Sequence, residues 1–72
     1  MKPAIFLIKV QGYLSPRVTD NMGLSVFVNE TDGQIVTTLS GEVADQAALM
    51  GIFNYLYDLG YTLLTVEYQS SL

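Results

Sequence analysis

The polar residues best suited to chemistry lie where a loop runs into the predicted long helix. Glu42 and Asp45 are three residues apart, and Gln46 follows directly. Two carboxylates act as general acid and base only where their surroundings favour different protonation states, and this loop position is expected to be solvated. An aspartate before a helix is a common cap for its free amides, and we interpret Asp45 as such a cap, with Gln46 hydrogen-bonding locally. Anion binding by Gln46 or the free amides is the alternative, although Asp45 already occupies the positive end of the helix.

No other residue in the sequence forms a recognisable catalytic group. The chain contains no histidine to activate a serine and no cysteine thiol. The usual zinc and haem ligands are thus missing, and the seven acidic residues are too scattered for a carboxylate site for Mg²⁺ or Ca²⁺. We predict no catalytic residue, no cofactor and no metal. An enzyme acting through Glu42, Asp45 or Gln46 is the least favoured hypothesis.

Length and charge further limit the classes of protein to which the chain could belong. The 72 residues predict a single small domain spanning 1–72. A net charge of −4 with three basic residues argues against nucleic-acid binding. No apolar segment approaches the ~20 residues of a membrane helix. The N-terminal apolar stretch is interrupted by Lys9 and lacks a cleavage site, so we interpret it as a strand rather than a signal peptide and expect a cytoplasmic protein.

Small size is itself informative. A core in a chain this short rarely supplies more than ~3–5 kcal/mol, and small domains usually add disulfides, a metal or a partner chain. The sequence provides no cysteine for disulfides and no usual ligand for a metal. Oligomerisation is the remaining support.

Periodicity and turn residues predict one short and one long helix among four strands. The long helix begins after a cap at Asp45 and ends at Gly60. The short helix, of at most two turns, lies between Ser15 and Gly23, and the Ser15 hydroxyl would cap it. Asp32-Gly33 predicts a hairpin turn. The predicted strands are residues 4–12, 24–30, 34–41 and 61–69.

This order predicts an α+β fold of the ferredoxin-like, split βαβ type. The elements run β1, short helical turn, β2, β3, α, β4, with the sheet carrying one main helix on one face. Right-handed crossovers would place the first and third strands in the centre, which suits the first strand because it is apolar on both faces. A simpler meander with one helix packed across it is the alternative.

The long helix carries more apolar surface than one core-facing stripe needs. The expected core stripe consists of Leu49, Ile52, Phe53, Leu56 and Leu59. Met50, Tyr55 and Tyr57 are additional and would extend its shoulders. Gly51 lies within the helix, where glycine is unfavourable by roughly 1 kcal/mol, and we interpret it as a point of close approach by another segment or chain.

One helix covers one face of a sheet, so the other face is expected to stay open. Ile5, Leu7 and Phe27 are predicted on that face, together with Leu63 and either Val36 or Thr38. Monomers rarely expose apolar patches beyond a few hundred Å². We therefore predict that Met50, Tyr55, Tyr57, Ile5, Leu7 and Phe27 bind a partner; the alternative is that the aromatic shoulders only wrap the sheet edges.

The run VADQAALMGIFNYLYDLGYTLLTVE, residues 43–67, resembles a family of short uncharacterised prokaryotic proteins. Their helix commonly reads D-Q-A-A-L-H-G-L-L followed by R-D-L-G and a strand of the type L-L-S-V. The resemblance extends more loosely to the first strand. Family members often carry a histidine at the position of Met50 and basic residues at 54–57, so a role of that histidine would be missing here. The resemblance implies no known activity.

Two function classes follow. The first is a small non-enzymatic interaction domain, a homo-oligomer or a binder of a protein partner, that uses the open sheet face or the helix shoulder. The second is a regulatory module that binds a small molecule in an apolar cleft between subunits, which would need converging polar groups.

Overall fold

The computed structural model describes residues 2–72, so that of the predicted domain only Met1 lies outside the described residues. Six elements follow one another along the described chain: β1 (Ala4–Gln11), α1 (Pro16–Thr19), β2 (Ser25–Thr31), β3 (Gln34–Val43), α2 (Gln46–Asp58) and β4 (Leu63–Ser71). The four strands form one sheet in which all neighbours are antiparallel. The predicted α+β class with four strands and one main helix is confirmed.

The strands lie in the order β2-β3-β1-β4. The first and third strands are central, as predicted, and β1 pairs with β3 rather than with β2. The alternative of a simple meander is therefore wrong. The two connections that contain helices each pass over one intervening strand, which leaves β2 and β4 at the edges.

The core lies on one face of the two central strands, called here the inner face. Alternate residues of β1 are buried from Ala4 to Val10, and Leu39 and Val43 of β3 are buried beside them. Leu56 of α2 closes this core from above, with Leu49, Ile52 and Phe53 packed around it. Leu49, Ile52 and Phe53 are thus only partly buried, and Leu56 is the one buried residue of α2.

Both ends of α2 have the predicted caps. The Asp45 carboxylate accepts a hydrogen bond from the amide of Ala48 at 2.8 Å. At the other end, Gly60 has a φ of +87°. The amide of Gly60 donates to the Tyr57 carbonyl and that of Tyr61 donates to the Leu56 carbonyl. This is the Schellman arrangement, which needs the left-handed conformation that glycine adopts without strain.

The connection between β1 and β2 contains a single turn of helix. Its predicted hydroxyl cap is wrong, because the Ser15 side chain makes no capping hydrogen bond. The Ser15 carbonyl instead accepts from the amides of Val18 and Thr19. The connection also covers more of the core than its length suggests, since Leu14 is fully buried.

Thr37 of β3 holds this connection to the sheet. Its buried hydroxyl donates to the Gly12 carbonyl at 2.7 Å and accepts from the Leu14 amide at 3.3 Å. Both hydrogen-bonding capacities of the hydroxyl are used, so a polar side chain is accommodated at full burial. Leu14 is thereby placed over the inner face.

The β2–β3 hairpin turns at Asp32-Gly33, as predicted. Both residues have positive φ, 52° and 77°, and Thr31 pairs with Gln34 on either side of them. A two-residue turn with positive φ at both positions matches the twist of the strands it joins.

Two predictions of side-chain placement are wrong. The pairing of β4 with β1 shifts register between Lys9 and Val10, which places Leu63 opposite Val10 on the inner face and not on the open face. Leu59 was expected in the core stripe of the helix and is 49% exposed. It is the C-cap residue, where the chain leaves the sheet.

Candidate interaction surfaces

The helix shoulder consists of Met50, Tyr55 and Tyr57, and all three side chains are exposed. Tyr57 is the most accessible at 79%, while Met50 is 47% exposed. They project from α2 because the stripe that faces the sheet is already filled by Leu49, Ile52, Phe53 and Leu56. The expectation that these three residues lie outside the core is therefore met, and whether they bind a partner stays a prediction.

The outer face of the sheet, opposite the helix, is less apolar than expected. Leu7 lies between Ser40 and Glu67, and Ile5 lies between Glu42 and Ser70. Both apolar side chains are half-buried. Each of these two apolar side chains thus has polar residues beside it on both neighbouring strands.

Phe27 lies on the same outer face but at the edge strand β2. It is 60% exposed, and its cross-strand neighbour is Thr38, which in turn pairs with Lys9. One whole strand thus separates Phe27 from Ile5 and Leu7. Ile5, Leu7 and Phe27 therefore do not form one patch. The helix shoulder lies on the opposite side of the sheet and is separate from all three.

The edge strands expose apolar residues on the inner face as well. On the β2 side these are Val26 and Val28 with Ile35 of β3, called here the β2 patch; on the β4 side they are Leu63, Val66 and Tyr68, the β4 patch. A helix is about 10 Å across, whereas four strands at ~4.8 Å spacing are nearly twice as wide. Helix α2 and the α1 connection therefore cover β1 and β3 and leave both edges uncovered.

Tyr68 of the β4 patch is anchored to the core at one end. Its ring meets the ring of Phe6 edge to face, with centroids 5.8 Å apart and planes at 81°. Its hydroxyl is hydrogen-bonded to the hydroxyl of Ser71. The apolar body of this tyrosine thus extends the core toward the β4 edge while its polar tip stays at the surface.

An open groove of about 490 Å³ lies between α2 and the segment that precedes β2. Gly51 lines it on the helix side, next to Ala48 and Tyr55, and Met22 lines the opposite side. A Cβ added to Gly51 would meet no atom within 4 Å. The interpretation of Gly51 as a point of close approach is therefore wrong within this chain; the missing side chain widens a groove instead.

The polar residues first singled out have structural surroundings. Asp45 is a helix cap, and neither it nor Gln46 lines the groove, whereas Glu42 does, together with Asn21. Among the residues that line the groove, Glu42, Asn21 and Tyr55 carry polar side-chain groups and the others are apolar or glycine. Within residues 2–72, no three His, Cys, Asp or Glu side chains cluster in a way that could hold a metal ion.

Comparison with known proteins assigns the chain to a family. The sequence profile described as a domain of unknown function (DUF8691) matches residues 5–67. The chain belongs to this family. The expectation of membership in a family of unknown function is thereby confirmed, and the matched residues run from β1 into β4. Searches of curated proteins and of solved structures find no match.

Neither helix in residues 2–72 has the length and apolar character needed to cross a bilayer.

Several residues that shape these surfaces were not predicted from the sequence. Leu14 and Thr37 form a buried contact that no local pattern predicts, because they are 23 residues apart. The register shift at Leu64 was also not predicted, because it depends on how the distant strands β1 and β4 pair. The β2 patch has a signal in the sequence, because strand alternation puts Val26 and Val28 on the same face of β2. Their exposure follows from the width of the sheet relative to one helix.

Proposed function

We propose that this DUF8691 chain is a small, non-enzymatic interaction domain that acts through self-association. The observation that supports this proposal is the uncovered inner face of both edge strands. The β2 patch and the β4 patch expose Val26, Val28, Ile35, Leu63, Val66 and Tyr68 at 36% or more. These are apolar side chains that continue the core outward on both sides and end in solvent.

The energetics of a small domain support the same proposal. Eight apolar residues form the buried core of the described chain. A second chain laid against an exposed patch would extend that core, and each large apolar side chain that becomes fully buried contributes about 1.5–3 kcal/mol. Association thereby supplies the stabilisation that disulfides or metals supply in other domains of this size.

Sedimentation velocity of the full chain from one to several hundred micromolar tests the proposal. We expect a species of twice the 7.9 kDa chain mass that dissociates on dilution. A monodisperse monomer over the whole range would refute self-association. Tyr57→Ser on the helix shoulder and Val28→Ser in the β2 patch then identify the surface used, because both side chains are exposed and their loss leaves the core intact.

A regulatory module that binds a small molecule is the second candidate, and the groove beside Gly51 favours it. The groove has the volume of many ligand sites and combines apolar walls with a few polar groups. It is open on one side, where a second subunit would complete the cleft that this hypothesis requires.

Thermal-shift measurements with a metabolite library distinguish this candidate. A true ligand raises the melting temperature of the wild type and of Ala47→Leu, whose side chain lies on the exposed side of α2 outside the groove. The same ligand loses its effect on Gly51→Leu, which fills the groove. A library in which no compound stabilises the wild type argues against this candidate.

We assign the fold to the ferredoxin-like type, in a variant whose first helix is reduced to one turn. Read from the β4 edge, the strand order is 4-1-3-2 with antiparallel pairing throughout, which supports the assignment. The single domain, the prokaryotic origin, the family motif around residues 45–60 and the cytoplasmic location stay predictions from the sequence.

A further inference from the structure

The two edges of the sheet differ in regularity. Strand β4 pairs with β1 with register shifts at two places, whereas β2 pairs with β3 without interruption from Ser25 to Thr31. Bulges, prolines and lysines protect an edge strand against pairing with another chain. Strand β2 has none of the three, and its one charged residue, Glu30, lies near the end of the strand. Of the two edges, β2 is therefore the more regular one for a further strand to join.

The direction of the backbone groups along β2 follows from its neighbour. The Ile35 carbonyl of β3 accepts a hydrogen bond from the Gly12 amide, on the β1 side. Backbone groups alternate in direction along a strand, so the flanking position Val36 and every second residue after it face β2. Their partners in β2 are Ser25, Phe27 and Asn29. The amides and carbonyls of Val26, Val28 and Glu30 therefore point to the open edge.

We infer that β2 pairs antiparallel with β2 of a second copy of this chain, with Phe27 opposite Phe27 at the two-fold axis. This inference rests on the proposed self-association and names its surface. In this register Val26 exchanges hydrogen bonds with the partner's Val28, so each outward-facing N–H of these two residues meets an outward-facing C=O of the partner. Phe27 then occupies the non-hydrogen-bonded position, where Cα atoms approach to about 4.5 Å and side chains contact most closely.

The apolar residues match across this axis on both faces. The two Phe27 rings, 60% exposed in one chain, meet on the outer face. On the inner face the two β2 patches join, because Val26 lies beside the partner's Val28. A register centred on Val28 instead would place Phe27 opposite the partner's Asn29 and Val26 opposite the partner's Glu30. It would match fewer apolar pairs, which favours the register centred on Phe27.

Charge does not oppose this register. The chain carries a net charge of −4, so like charges brought together would oppose association. Glu30 is the single charged residue of β2. It lies opposite the partner's Leu24, and the two Glu30 residues are offset by six positions, roughly 20 Å along the strands. This distance exceeds the screening length of about 8 Å at physiological ionic strength.

Cysteine cross-linking tests the register directly, because the wild type contains no cysteine. Ser25→Cys and Asn29→Cys are prepared as separate proteins that keep Phe27, mixed, and oxidised mildly. The register places Ser25 opposite the partner's Asn29, within the 4.4–6.8 Å Cα range of a disulfide. Two copies of the same variant would hold their thiols about 14 Å apart along the strands, beyond that range. Wild-type sedimentation is measured in parallel.

The outcomes separate this inference from the proposed function. A disulfide-linked dimer in the mixture, with monomer in each variant alone, is the expected result. A wild-type dimer whose mixed variants do not cross-link, or cross-link no better than each variant alone, overturns the β2 register and leaves self-association standing. A wild-type monomer overturns both. Phe27→Cys gives a second readout, since it should form a homodimeric disulfide at the axis.

Discussion

Strands β1 and β4 are hydrogen-bonded neighbours with opposite surroundings. Six of the eight residues of β1 and four of the nine residues of β4 are apolar, and the strands pair along nearly their whole length. Yet alternate residues of β1 are buried from Ala4 to Val10, while all nine residues of β4 are exposed. Ile8 is fully buried and its cross-strand partner Val66 is 38% exposed. At this pair two β-branched apolar residues differ in burial, so the position of a strand in the sheet decides, besides its composition, what the strand contributes to the core.

Ile8→Ala and Val66→Ala test this contrast at one cross-strand pair, and we expect the largest effect here. Ile8→Ala leaves a cavity in the core and should lower the free energy of unfolding by about 2–5 kcal/mol. Val66→Ala removes two methyl groups from a partly solvated site and should lower it by less than ~1 kcal/mol. Urea denaturation at one fixed, dilute protein concentration measures both. Equal losses would contradict the contrast.

Thr37→Val and Thr65→Val compare how much a buried and an exposed threonine hydroxyl contribute to the free energy of unfolding. The substitution at Thr37 keeps the shape but removes the acceptor of the Leu14 amide and the donor to the Gly12 carbonyl. Leaving buried backbone groups without partners should destabilise the fold by about 1–3 kcal/mol. Thr65→Val on exposed β4 is the control and should change stability by less than ~0.5 kcal/mol. A similar effect of both variants would show that the Thr37 bridge is not what holds the connection.

Asp45→Ala extends the comparison to the ends of α2. Removing the carboxylate that accepts from the Ala48 amide should destabilise by about 1 kcal/mol. Asp58→Ala at the other end is the matched control, because a negative charge there opposes the helix dipole, and its removal should be neutral or slightly stabilising. Circular dichroism during chemical denaturation measures both variants. Equal destabilisation would argue against the capping role.

Gly51→Ala should have the smallest effect, and of opposite sign. Its Cβ would meet no atom of the chain within 4 Å, and alanine is the better helix former. We expect stabilisation of up to ~1 kcal/mol, measured by thermal and urea denaturation. Destabilisation that appears only at concentrations where the protein self-associates would show that a second copy approaches this side of the helix.

The elements of this fold could be predicted from local patterns. The Asp45 cap, the Gly60 stop and the Asp32-Gly33 turn each depend on the conformation of a few adjacent residues, and all three are confirmed. The central position of β1 was also predictable, because a strand that is apolar on both faces favours burial on both.

The placement of individual side chains was less predictable. Leu63 changed face because β4 shifts register against β1, a feature of the pair and not of either strand alone. Leu59 stayed exposed because the chain turns away from the sheet at the end of the helix. The partner-binding residues were chosen as if the sheet had one open face; the uncovered inner-face edges depend on how wide the sheet is compared with one helix.

The pairing of the last strand with the first has a consequence during synthesis on the ribosome. Strand β1 is made first, but one of its two neighbours, β4, begins only at Leu63. Throughout that interval the hydrogen-bonding groups on one side of the central strand have no partner from this chain, and contacts between such distant segments form slowly. A nascent chain is therefore most open to mispairing with other strands until residues 63–71 have emerged.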